Sequence, residues 1–297
     1  MPELDIAELV EAVTRQVLAR LGSGGDLPPV LGQAYDPTRP LVAANWKMNP
    51  CAEGIAPYLA ALAAASTAVD VVLFPPAVLL AAVADAVTRA GRPDFGVGSQ
   101  DLHWEPAGAH TGEQSGALIH AAGGRWTLVG HSERRLAGET DDQVRRKVHA
   151  GLDAGLAVML CVGESLEARR TGATFRVLRN QLLAALGDSA LQPPSPQRLV
   201  VAYEPVWAIG TGEVATLEQI QEAAAYIRLQ VAERFDFQRA RDIRVVYGGS
   251  VKPGNAGEIM STPDVGGLLV GGASLEGETF RAIVDASASE FDTRRRQ

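Results

Sequence analysis

From Leu41 onward, short continuous apolar runs alternate with longer stretches in which apolar residues recur at helical spacing. The runs cover residues 41–45, 71–74, 95–100, 126–130, 157–162, 199–203, 243–247 and 267–270, eight in all. Continuous rather than alternating apolarity predicts parallel strands buried on both faces. The stretches between them, among them 77–90, 143–154 and 217–234, are Ala-rich and end near Gly or Pro, which predicts helices. Strand and helix repeated eight times predict a (β/α)8 TIM barrel, an α/β fold of typically about 250 residues. A doubly wound open sheet fits the pattern less well. Eight strands are many for it, and no glycine-rich dinucleotide fingerprint follows the first strand.

The first 40 residues have another texture. Ile6, Leu9, Val10, Val13, Val17, Leu18 and Leu21 fall on one helical stripe, with Asp5 placed to cap the helix and Gly22 to end it. The run Ser23-Gly24-Gly25-Asp26-Leu27-Pro28-Pro29 then reads as a flexible linker. The expected organisation is an amphipathic helical extension over 1–22, a linker over 23–40 and the barrel over 41–297.

Composition narrows the partners. Hydrophobic residues make up 46% of the 297, enough for a sizeable core, and the net charge of −8 argues against nucleic acid as a partner. No apolar run is long enough to span a bilayer, so no membrane partner is expected. Cys51 and Cys161 are the two cysteines, too few for a disulfide framework. The N-terminus carries Glu3, Asp5, Glu8 and Glu11 where a secretory signal needs basic residues and then an apolar stretch. A cytoplasmic protein is expected.

In such barrels the chemistry gathers at the C-terminal ends of the strands. The first strand ends in Asn45-Trp46-Lys47-Met48-Asn49 and the fourth in Gly130-His131-Ser132-Glu133-Arg134-Arg135. The sixth ends in Tyr203-Glu204-Pro205-Val206-Trp207-Ala208-Ile209-Gly210-Thr211-Gly212. The seventh gives Tyr247-Gly248-Gly249-Ser250, and the eighth Gly271-Gly272-Ala273-Ser274. Each has an ordinary reading: a surface lysine, a loop histidine, a salt-bridged carboxylate, a plain turn. Together they offer a base, an electrophile and, in the paired glycines, bare N–H groups for an anion. Cys161 reads as a small buried hydrophobe, and Glu133 and Glu164 as residues that orient neighbours.

The motifs that end the first, fourth, sixth and seventh strands, in this order, resemble the triosephosphate isomerase family over essentially all of residues 41–287. The resemblance implies that Glu204 is the base moving a proton between neighbouring carbons of a triose phosphate. It implies that His131 polarises the carbonyl as a neutral imidazole, an arrangement known for this family. Asn45 and Lys47 would hold the substrate oxygens, and Gly210, Ser250, Gly271 and Gly272 the phosphate. Residues Pro205, Val206, Trp207, Ala208, Ile209, Gly210, Thr211 and Gly212 would form the lid. No cofactor or metal is implied. Ala109-His110-Thr111-Gly112-Glu113 is similar to the family's interdigitating loop, with Thr111, Gly112 and Glu113 at the contact, and implies a homodimer. Asp101 stands where an asparagine is common, Gly266 where an aspartate is usual, and His110 where an aromatic is common.

Residues 1–22 with their linker resemble the encapsulation peptides that tether enzymes to a bacterial microcompartment shell or to other cargo. Folding back onto the barrel, or disorder, is the competing expectation for that segment. Two further functional readings remain open from sequence: an isomerase of a four-carbon sugar phosphate, and an inactive barrel kept as a scaffold. The second would be marked by loss of Glu204, His131 or Lys47, all of which are present.

Overall fold

The computed structural model describes residues 39–296 apart from 189–190, 192–193, 195–197 and 210–212. The helical extension expected over 1–22, and the linker expected over 23–40 apart from Arg39 and Pro40, lie outside the described residues. Eight parallel strands close into a barrel: β1 (Leu41–Asn45), β2 (Asp70–Phe74), β3 (Phe95–Ser99), β4 (Trp126–Val129), β5 (Ala157–Val162), β6 (Leu199–Tyr203), β7 (Arg244–Tyr247) and β8 (Gly267–Val270). β1 pairs with β2 from Leu41 opposite Asp70, and with β8 from Leu41 opposite Gly267, which completes the ring.

Burial on both faces explains the continuous apolar runs. Leu41 and Ala43 of β1 join Phe74, Leu128, Met159, Val200 and Leu269 in one buried cluster. Val42 and Ala44, pointing the other way, pack with Tyr58, Leu62, Ile283 and Val284 of the surrounding helices. Side chains alternate along a strand, so Leu41 through Ala44 lie in one core or the other, and the last residue, Asn45, is left for the barrel's C-terminal rim. At about 25 cal/mol per Å² of apolar surface removed from water, that double burial is the main force holding the ring closed.

The helices between and after the strands are α1 (Ile55–Leu62), α2 (Leu80–Ala90), α3 (Gly116–Ala121), α4 (Ser132–Leu136), α5 (Asp141–Asp153), α6 (Leu166–Arg170), α7 (Thr174–Leu186), α8 (Leu217–Arg234), α9 (Phe237–Asp242), α10 (Pro253–Ser261) and α11 (Gly277–Arg296). α8 has the expected limits, whereas α5 begins two residues before the expected 143. The apolar pattern starts at Val144, but Thr140 caps the helix through a reciprocal bond with Gln143, so the polar pair Asp141-Asp142 is helical. The stretch expected as helix over 77–90 opens with a 3-10 turn, Ala77–Leu79, before α2. Among the described residues no helix is long and apolar enough to cross a membrane.

Candidate active site

The C-terminal ends of the strands surround a cavity of about 230 Å³, lined by Asn45, Lys47, His131, Glu204, Ile209, Ser250, Gly271 and Gly272 among others. Asn45 is the last residue of β1, and Glu204 follows β6 directly. His131 lies two residues past β4 as the N-cap of α4. Strand ends place short side chains with little freedom, which is why a base and its partner can sit here with fixed geometry.

Glu204 and His131 form a buried pair. His131 Nε2 lies 3.0 Å from Glu204 Oε1, and the two side chains are 7% and 2% exposed. The N–H of Ser132 donates to the other oxygen, Oε2, at 2.9 Å. On the far side of the imidazole, the N–H of Glu133 donates to Nδ1 at 3.2 Å. An Nδ1 that accepts a hydrogen bond carries no proton, so the neutral ring presents Nε2–H to Glu204. Burial opposes a charge on His131, but the Glu204 carboxylate, with Glu133 behind it, outweighs burial and raises the imidazole above its ordinary value. The two pulls compete at one ring: the carboxylate favours the proton that the Glu133 N–H disfavours.

Lys47 is held by its backbone as well as its side chain. Its N–H donates to Asn45 Oδ1 at 3.0 Å, and its carbonyl accepts from Gln100 Nε2 at 2.9 Å. The same Gln100 nitrogen donates to the carbonyl of Phe74 at 2.8 Å, tying together the ends of β1, β2 and β3. Lys47 needs the clamp because its φ is +52°, a left-handed conformation that a non-glycine residue adopts at a cost of order 1–3 kcal/mol. Its ammonium pairs with Glu133 Oε1 at 2.6 Å.

One glycine beside the site is required by close approach. A Cβ on Gly163, just past β5, would fall 1.7 Å from the backbone oxygen of Glu204. At Gly271, where the backbone lines the cavity, a Cβ would only touch the movable end of Lys47, with Cε 3.3 Å away. Ser250 donates its hydroxyl to the Ala208 carbonyl at 2.7 Å and so joins the β7 end to the expected lid. Of that lid, Pro205 through Ile209 are described, with Val206–Ala208 as a 3-10 turn, while Gly210, Thr211 and Gly212 lie outside the described residues. The indole N–H of Trp207 donates to Glu164 Oε1 at 2.9 Å, and the Tyr203 hydroxyl reaches the same oxygen at 3.1 Å. Burial raises the Glu164 carboxyl by more than these bonds lower it.

The segment with Thr111, Gly112 and Glu113 stands away from the cavity on the long connection between β3 and α3, and all three residues are exposed. His110 lies tilted against His103 with ring centroids 4.0 Å apart, and His103 stacks on Trp104 at 4.3 Å. Asp101, at the root of this connection, accepts from Lys147 Nζ at 2.7 Å and pairs with Arg134 at 2.8 Å. Sequence reading set Glu133 and Glu164 aside as orienting residues, and the first holds Lys47 while the second holds Trp207. It did not single out Gln100 or Lys252, which also faces the cavity. The signal for Gln100 was slight, a polar residue directly after β3.

A closed (β/α)8 barrel with a buried carboxylate–imidazole pair, a lysine and paired glycines at the C-terminal rim defines an enzyme of the barrel class suited to moving protons on a small anionic substrate. The family model described as triosephosphate isomerase matches residues 40–287, and the chain belongs to that family. It is 44% identical over 254 residues to the triosephosphate isomerase of Syntrophotalea carbinolica, covering 84% of this chain and 99% of that protein. It is 47% identical over 251 residues to that of Ruegeria pomeroyi, covering 84% and 97%. The crystal structure of triosephosphate isomerase from Bartonella henselae superposes with a TM-score of 0.74 at 38% identity, over 84% of this chain and 98% of that one.

Proposed function

We infer that this chain is a triose-phosphate isomerase, interconverting D-glyceraldehyde 3-phosphate and dihydroxyacetone phosphate through an enediolate. The observation that carries the reading is the Glu204–His131 pair, 3.0 Å apart beside Lys47 in one cavity. Glu204 is the base: it takes a proton from the carbon next to the carbonyl and returns it to the neighbouring carbon. His131 points Nε2–H at the site, and when the substrate carbonyl oxygen takes the place of Glu204 Oε1, that donor meets the oxygen on which charge develops. The neutral ring suits the task, since its Nδ1 already accepts from the Glu133 N–H. Lys47 and Asn45 hold the substrate oxygens, and the lysine balances the enediolate. Gly210, Ser250, Gly271 and Gly272 take the phosphate, and residues 205–212 close over it and exclude water.

The relatives named above are triosephosphate isomerases, so the four-carbon substrate is not favoured. A coupled assay in excess chelator, run with triose and tetrose phosphates, tests the reading. Turnover of the triose phosphate without added metal is expected, and a preference for the tetrose would overturn it.

We further propose that the protein works as a homodimer through Thr111, Gly112 and Glu113, and that residues 1–22 tether it within a bacterial microcompartment. The amphipathic stripe and the Gly/Pro linker support the second proposal, because a short helix in water gains stability by burying its apolar face in a partner's groove. Fusing residues 1–25 to a fluorescent protein in a host that makes shells tests it. Punctate signal on shells is expected, and diffuse signal would overturn the idea.

A further inference from the structure

Besides His131, three side chains of ionisable type line the cavity: Lys47, Glu204 and Lys252. They are not equivalent. Lys47 is already matched by Glu133 at 2.6 Å. Glu204 brings a buried negative charge into the site that must receive the substrate. Lys252 is exposed at the start of α10, and among the described residues no carboxylate pairs with it. Its backbone is fixed: its N–H donates to Asn255 Oδ1 at 2.7 Å, and Asn255 Nδ2 donates to the Ser250 carbonyl at 3.1 Å. One asparagine thus ties the segment bearing Ser250 to the segment bearing Lys252.

A phosphate ester is largely dianionic at neutral pH. The protein that must attract it has a formal charge of −8, and the long-range field of such a chain repels a dianion. Paired backbone N–H groups act only at contact, and the Lys47–Glu133 pair is close to neutral beyond a few ångströms. Lys252 is the lining cation whose field is not cancelled at short range.

We propose that Lys252 recruits the phosphate end of the substrate, drawing the dianion to the Ser250 side of the cavity before the backbone donors engage it. Lys252 is a substrate-recruiting residue and takes no part in the proton transfer. The inference rests on the reading of the substrate as a phosphate ester.

The test compares Lys252→Gln, Lys252→Glu and Lys252→Arg with the parent full chain, measuring kcat/KM for glyceraldehyde 3-phosphate from low to high ionic strength. Unphosphorylated glyceraldehyde serves as the second substrate. At low ionic strength Lys252→Gln should lose about fivefold in kcat/KM, at the low end of electrostatic steering effects, and Lys252→Glu more. Lys252→Arg should stay near the parent value. The gap should close as salt rises and the screening length falls below about 10 Å. Loss should appear in kcat/KM more than in kcat, and glyceraldehyde should be turned over equally by all four proteins. Unchanged kcat/KM and salt dependence in Lys252→Glu would overturn the proposal. So would an equal loss on both substrates, which is the mark of a structural role. If the parent protein itself fails to turn over the triose phosphate, the isomerase reading falls and this inference with it; normal parent activity with no charge dependence at position 252 sinks the inference alone.

Discussion

The backbone N–H of Ser132 holds Oε2 of Glu204 at 2.9 Å, on the same side as His131, whose Nε2 holds Oε1. Both carboxylate oxygens are therefore engaged. The arrangement gives a buried carboxylate two donors, where a buried carboxylate left without partners costs on the order of several kcal/mol.

The pose makes a spectroscopic prediction. Glu204 is the group that outweighs burial and lifts the His131 imidazole above its ordinary value. In Glu204→Gln the His131 titration followed by NMR should move to lower pH than in the parent. The stability consequence has a definite sign. A raised folded-state value means that the folded protein binds the proton more tightly than the unfolded chain, so stability from this proton is full below the ordinary imidazole value. It is lost as pH rises through the raised value. The Tm advantage of the parent over Glu204→Gln should be largest at the acid end of that window and narrow above it. A His131 titration that does not respond to Glu204→Gln would contradict the pairing.

Gly163 carries the second prediction. A methyl there would fall 1.7 Å from the Glu204 carbonyl oxygen, a contact with backbone rather than with a side chain that could move aside. Gly163→Ala should displace the start of the lid together with the base, costing roughly 2–4 kcal/mol of stability as a buried steric clash. Calorimetry and the isomerase assay should both report the loss. A fully active, equally stable Gly163→Ala protein would rule out this close packing as a constraint on the base.

Much of the fold was legible because the forces that make it are local or periodic. β1, β5, β6 and β8 have the limits expected from sequence, since burial on both faces leaves an unbroken apolar run with clear ends. The candidate site was legible as a set of motifs at strand ends. What could not be read was how distant residues restrain one another. Gln100 clamps the Lys47 carbonyl across 53 residues, and Glu133 meets the Lys47 ammonium across 86. The left-handed backbone at Lys47 is equally silent in sequence, because lysine gives no sign of a positive φ. The start of α5 was missed because a capping threonine, not an apolar stripe, sets it.

The clamp on Lys47 is testable on its own. Gln100→Leu keeps the bulk but removes both bonds to the carbonyls of Lys47 and Phe74. The Lys47 backbone should relax from its left-handed conformation, raising KM for the phosphate substrate by roughly tenfold as a misplacement effect. Asn45→Ala, which removes the bond to the Lys47 N–H, should act in the same direction. Unchanged KM in Gln100→Leu would show that Lys47 holds its place without the clamp.

The proposed dimer predicts that shortening the connection at Thr111, Gly112 and Glu113 yields monomers. These residues are exposed on a connection whose root is fixed by the ion pairs of Asp101 with Lys147 and Arg134. Sedimentation velocity of the parent and of a variant with the three residues replaced by a shorter turn should show dimer and monomer respectively. Equal sedimentation as dimers would place the interface elsewhere.

The most direct measurement of the central claim follows the proton. Dihydroxyacetone phosphate is incubated with enzyme in deuterated buffer containing chelator, and deuterium at the carbon beside the carbonyl is measured together with turnover. The parent should show both turnover and deuterium incorporation. Glu204→Asp, whose carboxylate is retracted by one methylene, should lose about 10²–10⁴-fold in both, the range typical of a displaced general base, while inorganic phosphate inhibits it as well as the parent. Turnover and deuterium incorporation within tenfold of the parent in Glu204→Asp would contradict Glu204 as the base that carries the proton.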